Sequence, residues 1–384
     1  MINYKVLDET GAGIFKVLAK AKDLEREGKK ILHFEIGQPD QNTPEHIKQA
    51  AKDALDANFT GYVQSSGIQE LKEAIQDEVQ NTHGFKPSLK QVLILPGANS
   101  GVYYALRAVI DNITQEIIYP NPGFPTYGSV VSYLNAVDKA VHIKEENEFR
   151  LNPIDLEDNI SPKTKIIILN SPQNPTGSVM KKHEIQRIAE LAEEHNFYIL
   201  SDEIYSKMTY DEEFYSCSIR DECKERTLLL DGVSKSYSMT GWRLGWIIAP
   251  EKIVYRINLL ISIGVSCTSS FVQKAGIAAL KGPQDSIHEN MIEYRTRRDI
   301  IVKGLKEVKG FSCLNPQGAF YVFPNIIKTG MTSQECADHL LNHGIACLPG
   351  TVFGSYGEGY LRFSYATSIE TIKKGIELIK TAFE

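Results

Sequence analysis

No two cysteines in this chain are spaced as C-x-x-C; the six thiols, Cys217, Cys223, Cys267, Cys313, Cys336 and Cys347, are scattered. That pattern argues against a zinc knuckle or a disulfide framework and fits a reducing compartment. No stretch approaches the roughly 18 consecutive apolar residues of a membrane span. Residues 1–20 carry Lys5, Asp8, Glu9 and Lys16 where a signal peptide has its apolar core. The expected location is cytoplasmic. An excess of positive charge is missing too. Lys and Arg total 42 against 48 Asp and Glu, giving a formal net charge of −6 without any basic run of five residues, so neither nucleic acid nor membrane is an expected partner. The fingerprints G-x-G-x-x-G, P-loop and H-E-x-x-H are absent, and Thr10-Gly11-Ala12-Gly13 comes too early to follow a strand. Glu335, His339 and His343 are four apart and share a helix face; that spacing reads as a solvated face, because a metal site needs three or four converging ligands with supporting partners. No metal is expected.

What remains is an ordinary globular composition, 42% hydrophobic and 23% charged over 384 residues, long enough for one large and one smaller domain. After an irregular arm to about Gly13, Ile14, Val17, Leu18, Ala21 and Leu24 recur at helical spacing up to Gly28. An alternating run over 31–36 predicts a strand that delivers the turn Gly37-Gln38-Pro39-Asp40. Apolar runs at 92–95, 116–119, 165–169, 197–200, 227–230 and 246–249 then alternate with helical patterns, the signature of βα units and a mostly parallel sheet. Turns with possible chemistry follow these runs. Gly97, Ala98 and Asn99 precede a helical pattern over 102–110, where free N–H groups can hold a phosphate. Phe124 offers a planar ring after 116–119, or belongs to the core. The segment 170–177, Asn-Ser-Pro-Gln-Asn-Pro-Thr-Gly, is too rich in turn formers for a helix and too polar for core. Asp202 ends its run buried, which is costly unless it meets a cation or a proton donor.

Lys235 follows the run at 227–230, at the strand end where open α/β sheets place their chemistry. Desolvation and a neighbouring cation lower a lysine pKa, and Arg243 eight residues on is a fixed cation suited to phosphate. The pair fits an aldehyde cofactor carrying a phosphate; the alternative is a surface lysine beside a snorkelling arginine.

Four further stretches, in order along the chain, decide between these: Asn174-Pro175-Thr176-Gly177; Ser201-Asp202-Glu203-Ile204-Tyr205; Ser234-Lys235 with Thr240-Gly241-Trp242-Arg243-Leu244-Gly245; and Leu361-Arg362-Phe363-Ser364-Tyr365-Ala366. Together with Gly37-Gln38-Pro39-Asp40 they resemble the class I/II pyridoxal-phosphate aminotransferases of fold type I, nearest the aspartate aminotransferase subgroup, over nearly the whole chain. The resemblance implies an α/β fold with a large domain, a mostly parallel seven-stranded sheet flanked by helices, over 44–280. It also implies a smaller α+β domain joining 1–43 to 281–384.

The same resemblance assigns roles. Lys235 would hold pyridoxal 5′-phosphate as a Schiff base and later carry a proton as general base. Asp202 would face the pyridine nitrogen, and Tyr205 and Asn174 would bond the phenolic oxygen. Arg243, Ser234 and the turn Gly97-Ala98-Asn99 would hold the phosphate, with Phe124 stacked on the ring. Arg362 would clamp the substrate carboxylate, with Asn174 and the Gly37 backbone beside it. Tyr62 matches a tyrosine that reaches the neighbouring subunit's phosphate, so a homodimer is implied. The segment 264–270 approaches the partner's site in such proteins, or is a plain surface loop.

Three positions depart from the pattern. Gly232 stands where a serine often bonds the phosphate, with Ser234 as a possible substitute. Asn99 stands where aspartate-specific relatives carry a lysine, and Phe124 where others have tryptophan or tyrosine. The function implied is amino transfer between an α-amino acid and a 2-oxo acid by a ping-pong route. The alternatives are an amino-acid lyase, such as a carbon–sulfur β-lyase, and a non-catalytic sensor.

Overall fold

The structure is a computed structural model and describes residues 13–384, apart from the side chains of Ile14 and Phe15. The irregular arm expected over 1–12 lies outside the described residues. A seven-stranded sheet forms the centre. Its strands are β2 (Val92–Leu95), β3 (Glu116–Asn121), β4 (Val137–His142), β5 (Thr164–Asn170), β6 (Tyr198–Asp202), β7 (Thr227–Gly232) and β8 (Gly245–Ile248), in the order β2-β8-β7-β6-β5-β3-β4. Four strands, β2, β5, β7 and β8, are Ile-, Val- and Leu-rich and almost wholly buried, as a sheet covered on both faces requires.

Two features depart from the sequence reading. The six apolar runs are six of the strands, but β4 was missed: it is an edge strand whose residues Val137 to His142 are mostly exposed or half-buried, so it lacks an apolar run. Strand β8 is antiparallel to both neighbours, because the loop 233–244 turns the chain straight back from β7. That return places Lys235 and Arg243 in one loop at the C-terminal end of β7.

Glycines make the return possible. Gly232 pairs with Gly245 across the β7–β8 ladder, and a Cβ at 232 would come 2.9 Å from the Gly245 Cα and from the Leu244 carbonyl oxygen. A serine at 232 has no room here, which explains the departure at that position. A Cβ at 245 would come 2.7 Å from the Ala98 nitrogen.

Helix α1 (Gly13–Arg26) ends just before Gly28, at φ +89°. The strand expected over 31–36 shrinks to β1 (Leu32–His33). It pairs in parallel with β10 (Ile345–Ala346), after which the Phe34 carbonyl accepts from Ser364 N–H and the chain turns into the Gly37 segment. Strands β9 (Tyr321–Val322), β11 (Leu348–Pro349) and β12 (Leu361–Ser364) form an antiparallel sheet ordered β11-β12-β9, beside the long helix Asp285–Lys306. Residues of both sheets belong to one buried cluster, from Leu93 and Leu230 to Phe320 and Phe363. Among the described residues no helix is long and apolar enough to cross a membrane. All six cysteines are free.

Candidate active site

One cavity of about 210 Å³ lies at the C-terminal ends of β5, β6 and β7 and is closed by residues of β9 and β12. Gly37, Ala98, Asn99, Phe124, Asn174, Asp202, Tyr205, Ser234, Lys235, Arg243 and Arg362 all border it. Gly97 adjoins it, because a Cβ there would meet the Arg243 guanidinium at 2.4 Å. Tyr62 does not border it: the ring is 89% exposed on this chain.

Each side chain is placed by its element. The helix after β2 runs Ala98–Val109, four residues earlier than its sequence pattern indicates, so the amides of Ala98 and Asn99 lie in its first turn, where unpaired N–H groups favour an anion. Gly97 caps it at φ +88°, a backbone conformation that glycine adopts without penalty. Arg243 lies beside that turn at φ +54°, held by donation from Nη1 to the Thr240 carbonyl at 2.8 Å. Asn99 Oδ1 accepts from the Thr126 hydroxyl at 2.9 Å. The Phe124 ring stands edge-on to Tyr127, 5.7 Å between centroids.

Asp202 finds the proton donor that its burial demands. The Tyr127 hydroxyl donates to Asp202 Oδ2 at 2.7 Å, and the Ile204 amide points at Oδ1. Burial raises the Asp202 carboxyl to about 6, while the Tyr127 and Ile204 bonds and the Lys235 charge pull the other way. Asn170 Nδ2 donates to the Asp202 backbone oxygen, Asn170 Oδ1 accepts from Asn174 N–H, and Asn174 Oδ1 accepts from Arg362 Nη1. A continuous buried chain thus joins the two ends of the cavity.

Lys235 Nζ donates to the Gly37 carbonyl at 2.6 Å. Burial, helped by the Arg362 and Arg243 charges and opposed by Asp202, lowers its pKa to about 8. The turn that presents Gly37 is tied down on two sides. Arg297 Nη1 of the long helix donates to Asp40 at 2.7 Å, and the Thr43 hydroxyl donates to the Ser238 carbonyl in the lysine loop. Gly37 itself must lack a side chain, because a Cβ would come 2.4 Å from the Tyr321 hydroxyl.

Arg362, on β12, is 2% exposed. Its guanidinium carbon stands 4.5 Å from the Tyr321 ring centroid and 5.0 Å from that of Phe353. Nη2 donates to the Glu35 carbonyl, while the buried Nε has no partner among the described residues. Lys235, Arg243 and Arg362 border the cavity, no ion pair to any of them is found among the described residues, and Asp202 is the acid in the lining. Three cations against one carboxylate suit a ligand bearing two anionic groups. The donors at the Gly97 turn with Arg243, the amine, the acid and the orphaned Nε fit pyridoxal 5′-phosphate together with an amino-acid carboxylate.

Tyr127, Asn170, Thr240, Ile204 and Tyr321 also border the cavity, and no motif singles them out. Asn170 opens the 170–177 segment four residues before Asn174, and Tyr127 lies three residues past Phe124. Glu335, His339 and His343 are engaged elsewhere. Glu335 closes a capping box with Thr332, His339 Nε2 meets the Ala382 carbonyl, and His343 lies just past the end of the helix Ser333–Asn342.

The fold and this donor set define a fold-type-I enzyme dependent on pyridoxal 5′-phosphate. The family description "Aminotransferase class I and II" matches residues 29–379. An aspartate aminotransferase of Pyrococcus horikoshii is 39% identical over 357 residues, 92% of this chain and 91% of that protein. An aromatic-amino-acid aminotransferase 2 of Thermococcus litoralis is 37% identical over 94% of this chain and 93% of its own. The solved structure of an aspartate aminotransferase from Thermus thermophilus with maleate superposes with a TM-score of 0.94 at 31% identity, covering 100% of this chain and 99% of that one. The chain belongs to the class I and II aminotransferase family. It is a pyridoxal-phosphate-dependent aminotransferase, and neither the lyase nor the sensor alternative finds support.

Proposed function

We propose that this cavity transfers an amino group from an α-amino acid with an uncharged side chain to a 2-oxo acid, with Lys235 as both covalent anchor and proton carrier. One observation supports this most strongly: three cations and Asp202 line one cavity, and among them is a lysine amine lowered to about 8. Bound pyridoxal 5′-phosphate supplies an electron sink for the pair left on the substrate's α-carbon. The protein does the rest. Arg243, Ser234 and the amides of the first helical turn would hold the phosphate, and Phe124 would lie against the ring. Asp202, oriented by Tyr127, holds positive charge at the ring nitrogen, while Tyr205 and Asn174 donate to the phenolic oxygen. Arg362 takes the α-carboxylate in its planar fork, using the free Nε. Lys235 Nζ would take the α-proton and hold it for return, a task for which a pKa near neutrality is suited.

The same reading covers assembly. Tyr255, Leu259 and Ile263 form an exposed stripe on the helix Glu251–Gly264, and Tyr62 projects from the surface; a second copy of the chain would cover these groups. A cytoplasmic location is supported by the six free thiols. The division into a part over 44–280 and a part joining 1–43 to 281–384 is supported by the β1–β10 pairing.

The test is stoichiometric. Loaded enzyme mixed with one amino acid should yield one equivalent of the matching oxo acid and no ammonia, and a second oxo acid should then take up the amino group. Ammonia release in step with oxo-acid formation would instead support a lyase.

A further inference from the structure

Tyr321 is the buried group at the site that no step above uses. It is 1% exposed and reaches the cavity from β9, on the small antiparallel sheet. Its hydroxyl lies 2.7 Å from the Tyr205 hydroxyl, and no other side-chain partner of either hydroxyl is found among the described residues. A phenol has one proton and two lone pairs, so the pair can be wired in only two ways. If Tyr205 donates to Tyr321, the Tyr205 proton is spent. If Tyr321 donates, the Tyr205 proton stays free to point into the cavity.

The surroundings favour the second wiring. The Arg362 guanidinium stands over the Tyr321 ring at 4.5 Å, and a cation there makes that phenol the better donor. Burial raises both phenols above their ordinary value, and the Arg362 charge works against that rise at both. At Tyr205, but not at Tyr321, the Asp202 charge adds to the rise, which leaves Tyr205 the poorer proton donor of the two. The other charged groups near the pair are Lys235, whose amine is 5.7 Å from the Tyr205 ring centroid, and Asp202. The contact cannot drift, because the Tyr321 hydroxyl is packed against Gly37 and its strand is paired with β12.

We propose that Tyr321 is a positioning residue that donates its hydroxyl proton to the Tyr205 oxygen, fixing the direction of the Tyr205 proton and strengthening Tyr205 as donor to the cofactor's phenolic oxygen. The inference rests on the role given to Tyr205 above. It also couples the carboxylate-binding arginine to the cofactor's electronics, because Arg362 polarises the donor.

The experiment is a double-mutant cycle on the holoenzyme, reading the midpoint of the pH-dependent absorbance change of the bound cofactor, with thermal melting as a check on folding. Tyr321→Phe keeps the ring under Arg362 and removes only the hydroxyl. A donor on the phenolic oxygen favours the deprotonated cofactor, so weakening it raises the midpoint. Tyr205→Phe should raise it most. Tyr321→Phe should raise it by about 0.5–1 pH unit, the scale of one neutral hydrogen bond. In the Tyr205→Phe background Tyr321→Phe should add nothing. No shift in Tyr205→Phe would overturn the role of Tyr205 and the relay with it. A shift in Tyr205→Phe with none in Tyr321→Phe, or an equal Tyr321→Phe shift in both backgrounds, would overturn the relay alone.

Discussion

Asp202 and Asn99 show how much one side chain decides. Asp202 sits in a place that penalises its charge, and Tyr127, the Ile204 amide and the Lys235 amine favour the charged form. Replacing it with Asn keeps the volume and removes the charge. Asp202→Asn should therefore still bind cofactor but transfer amino groups at least about a hundredfold more slowly in single turnover; unchanged single-turnover rates would refute the role. Asn99 bears on selectivity. Arg362 satisfies one carboxylate, and the side-chain carboxylate of aspartate or glutamate finds at Asn99 only a neutral amide already bonded to Thr126. A charged hydrogen bond contributes about 1 kcal/mol more than a neutral one, so Asn99→Lys should raise kcat/KM for aspartate relative to alanine by about fivefold. If the unaltered enzyme already prefers aspartate a hundredfold and Asn99→Lys adds nothing, another cation reads the side chain. The Lys235 amine gives a pH signature. With a pKa near 8, its rate of capturing an aldehyde in the cofactor-free protein should rise with pH through about 8. Arg362→Ala removes a cation, so the midpoint should move up; a midpoint near that of an ordinary lysine would show that the amine is not desolvated.

At the scale of elements, the site depends on how closely the β7–β8 ladder approaches the helix that begins at Ala98. Gly245 has no space for a methyl group between the Ala98 nitrogen and the Asp231 carbonyl. Gly245→Ala should push the helix start away from Arg243, costing about 1–3 kcal/mol of stability and weakening cofactor binding. Melting and fluorescence titration measure the two effects, and an unchanged cofactor affinity would show that the helix start does not hold the phosphate. This element was only partly legible in the sequence. The apolar runs gave six strands because strands buried on both faces carry continuous Ile, Val and Leu. Strand β4 escaped because an edge strand with Asp138 and Lys139 is as polar as a loop. The early start of the helix at Ala98 escaped too, because its first turn is Ala-Asn-Ser-Gly, residues chosen for closeness to an anion rather than for helical periodicity.

For the whole molecule, the cavity collects residues from 37 to 362, and this is why motifs found it incompletely. Lys235, Asn174 and Arg243 stand in polar, turn-rich stretches that a core does not explain, and Asp202 and Arg362 are charges at buried strand positions. Tyr321 stands in Ala-Phe-Tyr-Val-Phe, which reads as core, and only the folding of β9 against β12 brings its hydroxyl to Tyr205. Assembly belongs to this scale as well. If Tyr255, Leu259 and Ile263 pack against a second copy, Ile263→Asp should shift sedimentation towards monomer and lower activity at low protein concentration, with the melting of the isolated chain little changed. A variant that sediments unchanged would place the interface elsewhere.

All of these statements depend on the amine of Lys235 being the group that holds the cofactor. Borohydride reduction of the loaded enzyme, followed by digestion and mass spectrometry, tests this directly. A single pyridoxyl label on the peptide containing Lys235, absent in Lys235→Ala, is the expected result. Label on any other lysine, or a label that persists in Lys235→Ala, would contradict the account.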